Sequence, residues 1–442
     1  MRSITQVNLN TIVQLRHQLK ECFTRGADAL FELADALSCE SAARSLPELS
    51  LSAVFRRKWP SVYAALEDGR IESQRWSKVW TDSLLASHEG HVWISLDSTS
   101  IARPEAETSP DRGMIYVPNL PHAKKPVSVG WQFSTMMLLP THRSSWGAIL
   151  SQQRIVSSQT AVEVAIAQLE DVRPLLPDTV RLLADRWYVT GAFLAACQRL
   201  ELEALMRLKR NRKLYRVAPP VGKRGARRLD GDLFQGSKPE TWGEPDQQWQ
   251  GLDEAGKPIQ VAAWHQLHFR QAREIEVTVY RVLRERAKGT RRDPVESWFC
   301  WRGPVPLLLS EVVSTYRYRF SHEHTYRFLK QDLFWTKAHV RTPEQFERWS
   351  LIVATAMNQL VLARSLGQAS FRPWERRQEA VTPRQVRRCM PAILAQLGTP
   401  AQAPKTRGKS PGRAKGTSVA KAKRYPVIRK PKPVPKKRLT SA

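Results

Sequence analysis

The chain has 442 residues, with 70 Lys or Arg against 41 Asp or Glu and a formal net charge of +29. Hydrophobic residues make up 42%, which excludes global disorder, and a chain of this length divides into about two to four domains. The charge points to a long polyanion, nucleic acid before a membrane surface, and no apolar run reaches the roughly 18 residues of a membrane span.

The opening MRSITQVNLNTIVQLRHQLKE lacks the apolar core of a signal peptide. Cys22, Cys39, Cys197, Cys300 and Cys389 form no CxxC pair, so neither a zinc ribbon nor a disulfide framework is expected, and the compartment reads as a bacterial cytoplasm. Residues 1–90 read as a helical module. Asn10 to Phe23 and Ala27 to Leu37 carry apolar residues three and four apart, and a third helix starts at Ser61 and stops at Gly69. Arg56, Arg57 and Lys58 stand just before it, available either to DNA or to solvent.

The pattern then turns to strands alternating with helices. Val92 to Leu96 is a strand ending at Asp97, Pro126 to Leu139 is one long or two short strands, and Thr160 to Leu169 is a helix. Val180 to Ala184 is a strand ending at Asp185, followed by a helix from Gly191 to Leu200. Such alternation predicts an α/β domain with a mixed sheet. From 205 to 303 the pattern is β-rich, with strands at Gln260–Phe269, Glu274–Leu283 and Ser297–Trp301. Two long helical stretches follow, Leu307–Lys330 and Pro343–Leu366. The expected organisation is a helical domain (1–90), an α/β domain in two parts (91–204 and 304–370) interrupted by a β-rich insertion (205–303), a helical segment (371–398) and a tail (399–442). That tail holds 14 Lys or Arg, seven prolines and no acidic residue, and reads as a disordered electrostatic anchor.

Asp97 and Asp185 share a placement at the end of an apolar strand. Adjacent strands lie about 4.8 Å apart, so two such carboxylates can grip the same cations. Alone, each is better explained as a turn or cap residue. Tyr316, Arg319, Glu323 and Lys330 have offsets 0, 3, 7 and 14, which at about 100° per residue places them on one narrow stripe of a helix. A solvated face with an i,i+4 Arg–Glu pair remains the structural alternative. His265 and His268 lie three apart in a strand and cannot share a metal, while His322 and His324 flank Glu323 and read as structural or DNA-facing residues rather than ligands.

The spacing Tyr-x2-Arg-x3-Glu-x6-Lys resembles the Tyr-Arg-Glu-Lys signature of a group of bacterial insertion-sequence transposases, DDE enzymes with an RNase H-like catalytic fold. The order of parts agrees: WISLDSTS with Asp97, LLADRWY with Asp185, a β-rich insertion, then Glu323 after 137 intervening residues. The resemblance spans about residues 90–366. It implies that Asp97, Asp185 and Glu323 are the catalytic, metal-binding triad, converging to metal-bridging distance even without metal. It implies that Tyr316, Arg319 and Lys330 hold DNA phosphates, that Mg²⁺ is the cofactor with Mn²⁺ able to substitute, and that the enzyme acts as a dimer on double-stranded DNA, joining element ends to target DNA. It also implies an insertion-domain tryptophan that stacks on a flipped base, for which Trp298 is the first candidate and Trp264 the second. The basic stretch containing Arg210 and Arg212 and the loop 223–228 are then expected on phosphates. A non-enzymatic DNA-binding protein is the main rival, since the basic tail serves either; a resolvase-type nuclease is a third, against which the Tyr316–Lys330 spacing argues.

Overall fold

The computed structural model describes residues 9–86, 91–117, 126–140, 144–220, 228–253, 256–284, 295–366, 374, 381–405, 412, 414–418 and 421–429. The first part is helical: α1 (Leu9–Glu21), α2 (Ala27–Cys39), α3 (Leu46–Leu49), α4 (Trp59–Asp68) and α5 (Ser73–Leu85), with a small ladder of β1 (Phe23–Arg25) on β2 (Arg70–Ile71). The third predicted helix begins at Trp59 rather than Ser61, because Pro60 fits the first turn. Helix α5 was missed; it carries Trp76 and Trp80 one turn apart on its buried side.

Every residue of α2 from Ala29 to Cys39 is buried, so its two interior carboxylates need partners. Asp35 receives Arg16 at 2.9 and 2.8 Å. Glu32 receives Arg56 and Arg57 at 2.7 and 2.5 Å. Arg56 and Arg57, open to a DNA role in the sequence, are therefore committed to the fold.

The α/β part comprises β3 (Val92–Ala102), β4 (Gly113–Tyr116), β5 (Val127–Leu139), β6 (Ala148–Ile155), α6 (Ala161–Val172), β7 (Val180–Ala184), α7 (Gly191–Arg199) and β8 (Glu203–Arg207). The chain continues through β9 (Lys213–Tyr215), β10 (Leu233–Gln235), β11 (Gln247–Leu252), β12 (Pro258–Phe269), β13 (Ala272–Arg284) and β14 (Glu296–Arg302). It ends in α8 (Glu311–Arg317), α9 (Phe320–Gln331), α10 (Pro343–Leu362) and α11 (Pro383–Leu397).

The strands from β3 onward form one twelve-stranded sheet, in the order β10-β9-β12-β13-β14-β8-β7-β3-β5-β4, with β6 on β5 and β11 on β12. β8, β7 and β3 are parallel at its centre. The β-rich stretch joins them through β14, which pairs antiparallel with β8 from Phe299↔Arg207 to Arg302↔Ala204. β8 is buried through Ala204, Leu205 and Met206, and such a strand cannot be left as an open edge. Period-2 alternation divides the core: Leu182 and Ala184 of β7 face one cluster with Phe193 and Leu194 of α7, while Leu183 faces the other with Ile352 and Met357 of α10. Helices thus cover both faces, giving a mixed α/β fold.

Part of the segment expected as a free tail lies on the fold. Ala401 is buried, and its carbonyl accepts from Arg56 Nη2 at 2.6 Å. Further on, Ile428 bridges Gly113 at the end of β4, with its N–H on the Arg112 carbonyl at 2.8 Å, and Arg424 pairs with Glu107. The edge backbone around β4 supplies hydrogen-bonding groups that a basic, Pro-rich chain can still use.

Candidate active site

The parallel register of β3 and β7 ends with Leu96 opposite Ala184. Asp97 and Asp185 come next, each one residue past the last paired position of these adjacent strands. Contrary to expectation, Asp97 does not end its strand. β3 runs on to Ala102, paired with β5 alone, because β7 stops and leaves one side of β3 open at the aspartate. Among the described residues, the Asp185 side chain has neither a hydrogen bond nor an ion pair.

The helical stretch bearing Glu323 is bent. α8 stops at Arg317 and α9 starts at Phe320, with i→i+3 bonds across the break, Tyr318 N–H to Thr315 and Arg319 N–H to Tyr316. Tyr316, Arg319 and Lys330 still reach the strands bearing the aspartates, while Glu323 is joined to them through Arg319. Arg319 Nη2 donates to Asp97 Oδ2 at 2.6 Å and Nη1 to Glu323 Oε1 at 2.8 Å. Tyr316 donates its hydroxyl to the Ala184 carbonyl at 3.4 Å and packs on Phe299. Lys330 Nζ donates to Thr99 Oγ1 at 2.5 Å and to the Ser100 carbonyl at 3.1 Å. Tyr326, one turn beyond Glu323, donates to the Asp97 carbonyl at 2.9 Å; this residue was missed because it reads as an ordinary apolar-face aromatic.

Charge in this cluster is strongly coupled. Burial raises the Asp97 carboxyl above its usual range, and Asp185 and Glu323 add to this, against Arg319 and the Ser98 N–H, which donates at 2.8 Å. Burial alone would lower Arg319, but Asp97, Tyr316, Glu323 and Asp185 outweigh it and hold the guanidinium charged. Burial lifts the Tyr316 phenol to about 12 and lowers the Lys330 ammonium to about 8, the latter opposed by Asp97. His322 is fully buried on Ser95 Oγ at 2.6 Å and is structural, whereas His324 is exposed. His265 and His268 take separate partners, Thr278 and Asp230.

The three carboxylates present only oxygen donors, the set that suits a hard divalent cation. The expected convergence is not reached: among the described residues no three His, Cys, Asp or Glu side chains are grouped closely enough to hold a metal ion. The guanidinium of Arg319 stands between Asp97 and Glu323. A cavity of about 100 Å³ adjoins it, lined by Arg207, Arg284, Arg317, Arg319 and Glu323. Arg207 belonged to the basic stretch noted in the sequence, but nothing there distinguished it from Arg210. A larger cavity, about 690 Å³, is lined by His91, Thr179 and Glu203 at the opposite end of the same strands, away from the aspartates.

Trp298 does not face this cleft. It is 3% exposed, stacked on Trp264 at 5.8 Å and against Trp242 at 5.2 Å. Trp264 is 2% exposed in the same cluster. Both are core residues, because the face of β14 carrying Trp298 is covered by the strands and turn that hold Phe234 and Trp242. Arg212 is half-buried, and its Nη2 donates to the Val189 carbonyl at 2.6 Å, bracing the loop after Asp185. Arg210 is exposed. Of the loop 223–228, only Arg228 lies within the described residues; it is 3.9 Å from Asp232.

The two aspartates follow the last paired positions of adjacent parallel strands in a mixed sheet, and comparison with known families supplies the class. The model of the family described as DDE superfamily endonuclease matches residues 18–270. That span is more than half of the chain, and the protein belongs to this family. It contains Asp97 and Asp185 and ends before Glu323. No curated protein matches the sequence. Among the described residues, no helix is long and apolar enough to cross a membrane.

Proposed function

We propose that the protein is a cut-and-paste transposase that cleaves DNA at the ends of an insertion sequence and joins the freed ends to target DNA. The observation that carries this reading is the level placement of Asp97 and Asp185, tied through Arg319 to Glu323. In this reading the sheet around β3 and β7 is an RNase H-like catalytic unit, residues 205–303 are its insertion, and Tyr316, Arg319, Glu323 and Lys330 are the family's Tyr-Arg-Glu-Lys signature. Asp97, Asp185 and Glu323 would hold Mg²⁺, or Mn²⁺ in its place. When bound, the ions supply the charge that activates an attacking oxygen and stabilises the departing 3′-oxygen.

The chain's own residues do the positioning. Arg319 and Lys330 present their cations beside the carboxylates, where a scissile phosphate would lie. Tyr316 braces the strand end ahead of Asp185, and Arg207 and the exposed Arg210 extend the positive surface along the backbone. A dimer joins the two element ends, and the freed 3′-OH attacks the opposite strand or target DNA.

The test is cleavage of a linear DNA carrying the inverted repeats that flank the coding gene, with Mg²⁺ or Mn²⁺. Asp97→Ala, Asp185→Ala and Glu323→Ala should each abolish cleavage and leave end binding within about threefold. A wild type that binds these ends yet never cuts them with either ion would replace this reading with a non-enzymatic DNA-binding protein.

A further inference from the structure

The turn that follows Asp185 carries an indole in an unusual position. Trp187 is 64% exposed, while Tyr188 and Val189 beside it are each 2% exposed. The turn is rigid: Tyr188 N–H donates to the Asp185 carbonyl at 3.0 Å, Arg212 holds the Val189 carbonyl, and Thr190 caps α7. Trp187 is therefore held out from a fixed backbone.

Lys209 places its Nζ 3.3 Å from the centroid of the Trp187 ring. β7 and β8 are parallel with Ala184 opposite Met206, so residues 185–187 and 207–209 emerge at the same end of the sheet, the end that carries Asp97 and Asp185. Positive charge crowds there. Lys209 is disfavoured as an ammonium by burial, then by Arg186 and Arg212, with Asp185 opposing. An exposed cation–π pair is a weak contact, too weak to explain an indole kept in water among crowded cations. A planar base on a polyanionic strand satisfies both features, since the ring offers a stacking face and the cations a phosphate site.

We propose that Trp187 and Lys209 form a nucleotide platform. The indole stacks on an unpaired base of the DNA strand passing Asp185, and Lys209 holds the adjoining phosphate. This rests on the reading of the Asp97–Asp185 end as the DNA site.

The test uses a forked duplex with one unpaired arm, in which the nucleotide nearest the fork is 2-aminopurine, a natural base or an abasic sugar. The full-length protein should bind the natural-base fork about 5- to 100-fold more tightly than the abasic fork, and should change the 2-aminopurine fluorescence. Trp187→Ala should erase both effects, keep its affinity for fully paired duplex within twofold and keep the wild-type melting temperature. Trp187→Phe should restore part of the discrimination, and Lys209→Met should weaken natural-base and abasic forks equally. The proposal is overturned if Trp187→Ala still discriminates as the wild type does, if the wild type does not discriminate, or if Trp187→Ala loses paired-duplex binding to the same degree. Cleavage of element ends by a wild type indifferent to the base would sink the platform alone. Base-dependent fork binding without any cleavage would sink the transposase reading alone.

Discussion

Arg319 bridges two carboxylates that a cation would need, so it should control cation binding off DNA. Its two contacts are unequal. The contact to Asp97 is 2.6 Å long, with the side chains 11% and 19% exposed, and a charge-assisted bond of this type contributes about 1.5–3 kcal/mol. The contact to Glu323 involves a carboxylate that is 53% exposed four residues along the chain, and solvent screening reduces it to about 0.3–0.5 kcal/mol. The Asp97 contact therefore decides the outcome. Arg319→Gln should tighten Mn²⁺ binding by about 10- to 100-fold without DNA, read by the electron paramagnetic resonance signal of free Mn²⁺. Removing the guanidinium also lets protons compete for buried Asp97, so the titration belongs at pH 8. In the wild type, duplex DNA should tighten Mn²⁺ binding by drawing Arg319 onto a phosphate; in Arg319→Gln that gain should vanish. Equal Mn²⁺ affinity in the two proteins without DNA, or an equal gain on adding DNA, would refute the reasoning.

Burial lowers the Lys330 ammonium to about 8, and in the proposed reading its charged form binds phosphate. Affinity for duplex should therefore hold below that pH and fall by up to about tenfold per unit above it, measured by anisotropy at fixed ionic strength, while Lys330→Arg stays flat. Trp298→Ala removes a buried indole and should cost about 3–5 kcal/mol of stability, seen as a drop in denaturant midpoint, whereas a cleft-facing residue would leave that midpoint unchanged. Deleting residues 399–442 should lower stability, because Ala401 and the Gln402 carbonyl anchor Arg56 and Arg57 at 2.6 and 2.7 Å, and should flatten the salt dependence of DNA binding.

The order of strands and helices around the site was legible because its core elements are short and strongly patterned. Val180–Ala184 is a strand at the predicted bounds, and Thr160 caps its helix as its side chain requires, with Glu163 completing the box. The extent of β3 was not legible, since Ser98, Thr99 and Ser100 continue it without apolar alternation. They stay in the sheet because β5 is long enough to pair with them. A single stripe over 316–330 requires one straight helix. Tyr316, Arg319 and Lys330 reach the same strands through a break at Tyr318 and Arg319, which local spacing cannot reveal, and Glu323 stays half exposed on Arg319. Trp298 went astray for a different reason: alternation gave it one face of β14, but which face is covered depends on the turn carrying Trp242, far away in sequence.

Arginine is where composition and structure diverge most. Arg103 donates to the Ala338 and Val340 carbonyls, Arg112 to those of Arg103, Pro104 and Ser109, and Arg387 to those of Leu37, Glu40 and Asp332. These guanidiniums tie chain crossings together and cannot reach a phosphate, so a count of basic residues overstates the DNA contacts. A carbonyl satisfies the hydrogen-bonding demand of an arginine without cancelling its charge. The same side chains that hold the fold therefore still contribute to the +29 field that gathers a polyanion from a distance. In the proposed reading, close contact falls to a few cations at the Asp97–Asp185 end, where Arg319, Lys330 and Lys209 each stand beside a carboxylate, a strand edge or an exposed ring.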